Sequence, residues 1–163
     1  ASVNSWFIPL AIWLVPMPEK PATAILDPAA PAVILFDGVC NLCNASVNFI
    51  IDRDPQGRFS FAALQGEIGQ GFLRRHGLAT EVFDTLVLID QGRLHQRSGA
   101  ALRIARRLRW PWPLLAVCWL VPLPLRDAVY GLVSRNRYRW FGRQDACRLP
   151  TPQLGARFLD PVA

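Results

Sequence analysis

The sequence is poor in the residues that build metal centres and disulfide scaffolds. It has two histidines and four cysteines among 163 residues, and four cysteines are too few to indicate a disulfide scaffold in a chain of this length. Neither His76 nor His95 has a second ligand at a spacing typical of metal sites. A chain this long buries about 70% of its unfolded surface, so one hydrophobic core suffices. These absences favour a single domain stabilised by ordinary packing.

Long uninterrupted apolar runs are absent as well. Residues 1–18 carry no charge, but prolines interrupt them and they lack the basic start of a signal peptide. Residues 111–125 carry no charge either and contain four prolines; as a helix they would span only about 22 Å, against roughly 30 Å for a bilayer core. We expect 111–125 to form core or an apolar cover near the functional site. We assign 1–31 to an apolar N-terminal extension and a linker rich in Pro and Ala.

Charge is distributed unevenly along the chain. Residues 1–92 carry five basic and nine acidic side chains, whereas residues 93–163 carry thirteen basic and three acidic ones. Two arginine clusters stand out, at 103, 106, 107 and 109 and at 135, 137, 139 and 143. Solvated helix faces are the simpler interpretation. Peripheral contact of the Arg and Trp segments with an anionic membrane is the alternative, and we predict no specific nucleic-acid partner.

Two cysteines three residues apart form the motif most informative about chemistry. Ala32–Phe36 predicts a buried strand, and the residues from Cys40 to about Arg53 have helical periodicity. A cysteine pair at such a strand-to-helix junction is typical of redox motifs. Helical neighbours at i and i+3 lie about 5–6 Å apart at Cβ, close to disulfide geometry. Because a helix start stabilises a thiolate, Cys40 is the predicted nucleophile and Cys43 the resolving thiol.

The residues around the cysteines have predicted supporting roles. Gly38 permits a sharp exit from the strand, and Asn41 and Leu42, between the cysteines, are expected at the substrate groove. A carboxylate about 5–6 Å from a thiolate opposes its ionisation by roughly 3 kcal/mol. We therefore expect Asp37 either to accept a proton from Cys43 during resolution or to cap the helix that follows.

Alternating elements continue along the chain. Strands are predicted at 58–62, 85–89 and 93–96, and helices at 64–75 and from an N-cap at Ser98 to about 108. Gln91-Gly92 predicts a hairpin turn. This order predicts an α/β fold of thioredoxin-like topology, with three layers and a mixed sheet. A helix over Asp127–Arg135 would belong to an added C-terminal helical segment from about residue 110.

Asp37, Cys40 and Cys43, together with five further segments, resemble the DCC family of thiol-disulfide oxidoreductases. The segments are Phe61–Gln65, Asp84–Asp90, Arg97-Ser98, Leu125–Asp127 and Asn136–Gly142. The resemblance covers about residues 32–160, the predicted domain. It implies a thioredoxin-like fold and disulfide exchange with Asp37, Cys40 and Cys43 as catalytic residues. Cys147 resembles a family position and is a candidate third redox thiol.

One feature departs from many thioredoxin-like enzymes. These place a cis-proline before the third strand to form the substrate groove, whereas this chain has Thr85 there. We expect Thr85 to lie at the groove and to give a different shape to the backbone that would receive a substrate peptide.

The sequence therefore predicts a thiol-disulfide oxidoreductase, of the protein-disulfide reductase type. Its expected partners are a protein or small-molecule disulfide and an upstream thiol reductant, with the Cys40–Cys43 disulfide in place of a cofactor and no bound metal. We expect a cytoplasmic location, with membrane association as the alternative. Two other functions stay open: zinc binding through Cys40, Cys43, Cys147 and a histidine, and a membrane-surface interaction module without redox turnover.

Overall fold

The computed structural model describes residues 31–78, 85–143 and 155–160. The strands are β1 (Ala32–Phe36), β2 (Phe59–Ala63), β3 (Val87–Asp90) and β4 (Arg93–Gln96). The α-helices are α1 (Asn41–Arg53), α2 (Glu67–Arg75), α3 (Arg97–Arg107) and α4 (Leu123–Phe141), and a 3-10 helix spans Trp112–Leu120. The extension and linker predicted for residues 1–31 fall, apart from Pro31, outside the described residues.

The four strands form one mixed sheet in the order β2-β1-β3-β4. β1 pairs with β2 in parallel and with β3 in antiparallel orientation, and β3 and β4 form an antiparallel hairpin. At the hairpin turn Gln91 and Gly92 have φ values of 50° and 73°, which a two-residue type I′ turn requires. The predicted α/β class is confirmed, and the sheet is compatible with a thioredoxin-like fold.

Helices cover both faces of this sheet. Successive residues of β1 point to opposite faces, so Ile34 packs in one cluster with Val47 of α1 and Ile104 of α3. Leu35 packs in a second cluster with Phe72 of α2. All five residues of β1 are buried, as expected for a strand covered on both sides. The three layers are thus α1 with α3, the sheet, and α2.

Residues 155–160 return to the sheet beside β2. The Phe61 N–H donates to the Arg157 carbonyl at 2.8 Å, and the Leu159 N–H donates to the Phe61 carbonyl at 2.8 Å. The Asp160 carboxylate then accepts the N–H groups of Ala63 at 2.9 Å and Ile68 at 3.1 Å. A side chain far along the chain therefore satisfies one backbone donor at the end of β2 and one in the first turn of α2.

The predicted N-cap of α3 is wrong. The N-cap residue is Gln96, and Ser98 lies inside the first turn of the helix. Its buried hydroxyl instead hydrogen-bonds the Asp127 carboxylate of α4. A serine near a helix start thus links two helices here because a carboxylate of α4 lies within reach of its hydroxyl.

The helix predicted over Asp127–Arg135 is longer at both ends. α4 runs from Leu123 to Phe141. Pro124 is tolerated in its first turn because backbone N–H groups there have no partner within the helix. Gly142, with a φ of 80°, follows its last residue, as glycine commonly does at helix ends.

The expectation that residues 111–125 form core is wrong. None of the nine residues of the 3-10 helix is buried, and Cys118, which would be a core residue in that case, is only half-buried. The segment packs beside α3, with the Trp112 ring edge-on to Phe49 at 4.6 Å between centroids. α1 and α3 already cover that face of the sheet, so no core position is left. Of the described helices, none is long and apolar enough to cross a bilayer.

Gly69 and Gly71, both in α2, provide a test of the close packing between α2 and β2. A Cβ at Gly69 would lie 2.0 Å from the Ala63 carbonyl oxygen, whereas a Cβ at Gly71 would meet nothing within 4 Å. We expect Gly69→Ala to lower the free energy of unfolding by about 1–3 kcal/mol through overpacking. Gly71→Ala, the matched control, should be neutral or raise it by up to about 1 kcal/mol. Urea denaturation measures both, and equal effects would contradict the close approach.

Candidate active site

The two cysteines lie where β1 leads into α1. Cys40 is the N-cap residue of α1, in an extended conformation, and its Sγ accepts the backbone N–H of Cys43 at 3.4 Å. Both are free thiols. The predicted placement at a strand-to-helix junction is confirmed. Because the N–H groups of the first helical turn have no partner within the helix, Cys40 Sγ occupies a position that favours negative charge.

The two thiols differ in exposure. Cys40 is completely buried, at 0% exposure, whereas Cys43 is half-buried and lines a cavity. The chain that follows α4 covers the start of α1: Cys40 forms a backbone bridge with Arg143, and the Asn41 side-chain amide donates to the Phe141 carbonyl at 2.8 Å. Cys43 is therefore the more exposed of the two thiols, and Cys40 lies beneath this cover.

The environment of Cys43 disfavours its thiolate. Burial, the hydrogen bond with Cys40 and the charge of Cys40 raise the pKa of the Cys43 thiol from 9.0 to about 12, and Asp37 adds to this rise. The Arg137 guanidinium acts in the opposite direction. Cys43 is thus a protonated thiol at neutral pH.

Asp37 is buried and fully hydrogen-bonded. Its Oδ1 accepts the Gln65 side-chain amide at 2.7 Å and the Val39 N–H at 3.2 Å. Its Oδ2 accepts the Arg137 guanidinium at 2.9 Å and the Tyr138 hydroxyl. Asp37 does not cap α1, since Cys40 is the N-cap residue, so that alternative is wrong.

These bonds determine the charge state of Asp37. Burial alone would raise the pKa of its carboxyl group, but the hydrogen bonds from Tyr138, Gln65, Arg137 and Val39 outweigh burial and lower the pKa below 3.8. Asp37 is therefore a carboxylate at neutral pH with its acceptor positions occupied.

Arg137 is the residue whose role the sequence did not reveal. It was grouped with a surface arginine cluster, yet it is buried at 4% exposure and pairs with Asp37, 100 residues away. The sequence likewise gave no individual role to Gln65 and Tyr138, which belong to two of the segments that resemble the family. The sequence did contain one indication of this burial. Tyr130, Val133 and Arg137 are three and four residues apart, so they share one helix face, and Tyr and Val are typical of a face that packs inward.

A cavity of about 180 Å³ lies beside Cys43, lined largely by apolar side chains of α1, α3 and α4. Leu42 and Thr85 both line it, and their part in a substrate groove stays a prediction. Gly38 and Asn41 are instead engaged in hydrogen bonds with Gln65 and Phe141. The Leu86 N–H, just before β3, donates to the Tyr130 hydroxyl at 2.9 Å, so a side chain of α4 occupies this backbone donor.

The described residues supply no metal site of the kind that the zinc alternative requires. Within residues 31–78, 85–143 and 155–160, no three His, Cys, Asp or Glu side chains are grouped so that they could hold a metal ion. Cys147, predicted as a third redox thiol and as a zinc ligand, lies outside those ranges. Its roles stay predictions.

The comparisons with known proteins agree with the site. Residues 34–143 match the family model described as DCC1-like thiol-disulfide oxidoreductase. The chain is 50% identical over 127 residues to the uncharacterized protein YuxK of Bacillus subtilis, covering 78% of this chain and 93% of that protein. It is 39% identical over 131 residues to a chloroplastic DCC family protein of Arabidopsis thaliana, covering 80% and 76%. No solved structure matches the chain.

The buried ion pair gives a stability prediction. Asp37→Asn leaves the Arg137 guanidinium buried without its carboxylate, so we expect the free energy of unfolding at neutral pH to fall by about 3–5 kcal/mol. Asp90→Asn is the matched control: its pair with Arg107 has side chains 18% and 34% exposed and should contribute at most about 1 kcal/mol. Urea denaturation measures both, and similar losses would contradict the assignment.

The same pair predicts an acid dependence. Since folding lowers the pKa of Asp37, its contribution is fully present above the unfolded value of 3.8 and is lost as the pH falls through the lower folded value. The stability difference between wild type and Asp37→Asn should therefore shrink only at acid pH. If this stability difference stays constant at pH values below the pKa of Asp37 in the folded protein, the assigned titration of Asp37 is contradicted.

Proposed function

Because the chain belongs to the DCC1-like thiol-disulfide oxidoreductase family, we propose that it reduces disulfides through Cys40 and Cys43. The observation that carries this proposal is the hydrogen bond from the Cys43 N–H to Cys40 Sγ at the start of α1. A helix N-terminus and its N–H donors favour the thiolate that attacks a disulfide. Cys43, one turn further along the helix, is close enough to resolve the product.

The reaction has two exchange steps. The Cys40 thiolate attacks one sulfur of the substrate disulfide, which forms a mixed disulfide with Cys40 and releases the other half as a thiolate. Cys43 then attacks the Cys40 sulfur and releases the second half, and the Cys43 proton passes to a departing thiolate. The substrate gains two electrons and the cysteine pair loses two. An upstream thiol reductant restores the pair, and no other cofactor takes part.

Asp37 acts in this scheme through Arg137. With four hydrogen bonds and a lowered pKa, its carboxylate is a weak acceptor for the Cys43 proton. It holds the Arg137 guanidinium at 2.9 Å, and that guanidinium lowers the pKa of Cys43. Asp37 is therefore a positioning residue, and Arg137 favours the Cys43 thiolate as it forms.

The substrate is a small disulfide or a flexible chain end. A cavity of about 180 Å³ is smaller than the roughly 300–1,000 Å³ of common ligand pockets. An extended peptide would need free backbone donors in the segment just before β3. The Leu86 N–H in that segment is already hydrogen-bonded to the Tyr130 hydroxyl. Access to Cys40 itself requires the backbone at Gly142 and Arg143 to move from the start of α1, because it pairs with Cys40 and Asn41.

The order of the two thiols is testable by trapping. We expect Cys43→Ser to accumulate a mixed disulfide on Cys40 when treated with bis(2-hydroxyethyl) disulfide, because the resolving thiol is missing. Mass spectrometry of the intact protein and of its peptides detects the adduct. Cys118→Ser, which alters a thiol in the 3-10 helix, is the control and should behave as wild type. An adduct on Cys43 in Cys40→Ser, with none in Cys43→Ser, would reverse the order.

Substrate size is tested by turnover. With a thiol reductant in excess, we expect a higher kcat/KM for bis(2-hydroxyethyl) disulfide than for the disulfides of a folded protein such as insulin. Tyr130→Phe frees the Leu86 N–H and should shift this ratio toward insulin, several-fold if each restored backbone hydrogen bond contributes about 1 kcal/mol. Val129→Ala, on the outer face of the same helix, is the control. Insulin as the better wild-type substrate would contradict the assignment.

A further inference from the structure

Apolar exposure in this protein is confined to one stretch of the chain. Among the described residues, every large hydrophobic side chain that is exposed lies between Trp110 and Phe141. They are Trp110, Leu114, Leu115, Val117, Trp119, Leu120, Leu123, Leu125, Val129, Leu132, Trp140 and Phe141. A monomeric soluble protein rarely exposes so many neighbouring apolar side chains, and such a surface marks an interaction site.

The 3-10 helix presents one apolar edge. Leu114, Val117 and Leu120 are 62%, 64% and 84% exposed, and residues three apart are superposed along a 3-10 helix. The helix Trp112–Leu120 contains no charged residue and buries none of its side chains. The three side chains therefore form a continuous apolar edge that the described residues leave uncovered.

The outer face of α4 carries a second set of exposed apolar side chains. Leu125, Val129 and Leu132 are 58%, 58% and 51% exposed and share one helix face by their spacing of four and three. The opposite face carries Tyr130 and Arg137, which line the cavity beside Cys43. The inner face of α4 thus lines the cavity, whereas the outer face is exposed and does not contact the redox site.

Basic side chains accompany the apolar ones along this part of the chain. Residues 93–143 contain eleven arginines and one acidic residue, Asp127, whose carboxylate is hydrogen-bonded to Ser98. Trp119 lies between the guanidinium groups of Arg103 at 4.9 Å and Arg126 at 5.0 Å. A cleft of about 100 Å³ beside Trp119 is lined by three arginines and one aspartate. Its positive charge suits the phosphate of a lipid headgroup.

We propose that the 3-10 helix and the outer face of α4 form a docking surface for an anionic lipid bilayer. The apolar side chains enter the boundary between headgroups and acyl chains, and the arginines contact anionic headgroups. The surface lies on the membrane without crossing it, since no described helix is long and apolar enough to do so. The proposal is independent of the redox reaction, whose cysteines lie at the start of α1 beside the inner face of α4.

Charge and chemistry favour lipid over the other occupants. A second copy docked on the same face would bring two arginine-rich segments against one another, which is unfavourable. Residues 93–143 contain eleven arginines and one acidic residue, and of these arginines Arg107 and Arg137 are paired with a carboxylate. Nucleic acid would satisfy the arginines through phosphate contacts. It would leave the aliphatic side chains of Leu114, Leu120 and Leu125 without apolar partners, whereas acyl chains provide them.

Vesicle flotation of the full chain tests the proposal. We expect the wild-type protein to float with vesicles of phosphatidylcholine and phosphatidylserine and to float much less with phosphatidylcholine alone. Leu120→Ser combined with Leu125→Ser should weaken binding at least about tenfold, because two apolar side chains no longer enter the interface. Disulfide turnover by this variant should match wild type, which shows that it folds and that the redox site is separate.

A charge-reversal pair supplies the matched control. Arg135→Glu combined with Arg139→Glu, at exposed positions on α4, should weaken binding to the anionic vesicles about tenfold or more. Arg74→Glu combined with Arg75→Glu, the same change of charge on exposed positions of α2, should have a much smaller effect. Equal effects of the two pairs would show that net charge alone drives binding and would overturn the proposed surface.

Other outcomes also overturn the proposal. Flotation that the leucine variant leaves unchanged, as it would if the apolar residues 1–18 carried it alone, excludes this surface. A dimer in light scattering that the leucine variant dissociates, without flotation of wild type, indicates a second copy as the occupant. Binding to a DNA or RNA oligonucleotide that depends on Arg135 and Arg139 but not on the leucines, again without flotation, indicates nucleic acid.

Discussion

The buried pair of Asp37 and Arg137 is the interaction on which the rest of the site depends. The two side chains are 1% and 5% exposed, and charges removed so far from water are tolerated only when paired and hydrogen-bonded. Gln65, Val39 and Tyr138 occupy the other acceptor positions of the carboxylate. The pair joins the turn before the cysteines to α4 and so fixes the helix that closes the site.

The position of α4 explains three features together. Its inner face closes the cavity beside Cys43 and bonds the Leu86 N–H through Tyr130. Its end brings Gly142 and Arg143 over the start of α1. Its outer face has no described partner, which leaves the apolar side chains there exposed. The covered thiol, the small cavity and the exposed surface therefore follow from one packing arrangement.

The fold was largely predictable because its signals are local. The apolar run of β1, the helical periodicity of α1 and the Gln91-Gly92 turn each indicated an element that the structure contains. The predictions that failed concern long-range partners. Ser98 bonds Asp127 because folding brings α4 beside α3. The 3-10 helix buries none of its residues because other helices already cover the sheet. The spacing of residues along the chain carries little information about either arrangement.

The sequence by itself determined the cysteine pair, its strand-to-helix placement and the family, because each depends on residues close together or on motifs that can be compared directly. Only the tertiary structure decided what Asp37 does and how exposed each thiol is. Those properties arise from Arg137 and Tyr138, about a hundred residues away, and from backbone that packs over Cys40. The charge state and accessibility of a side chain are set by its neighbours in space, and folding brings those neighbours together.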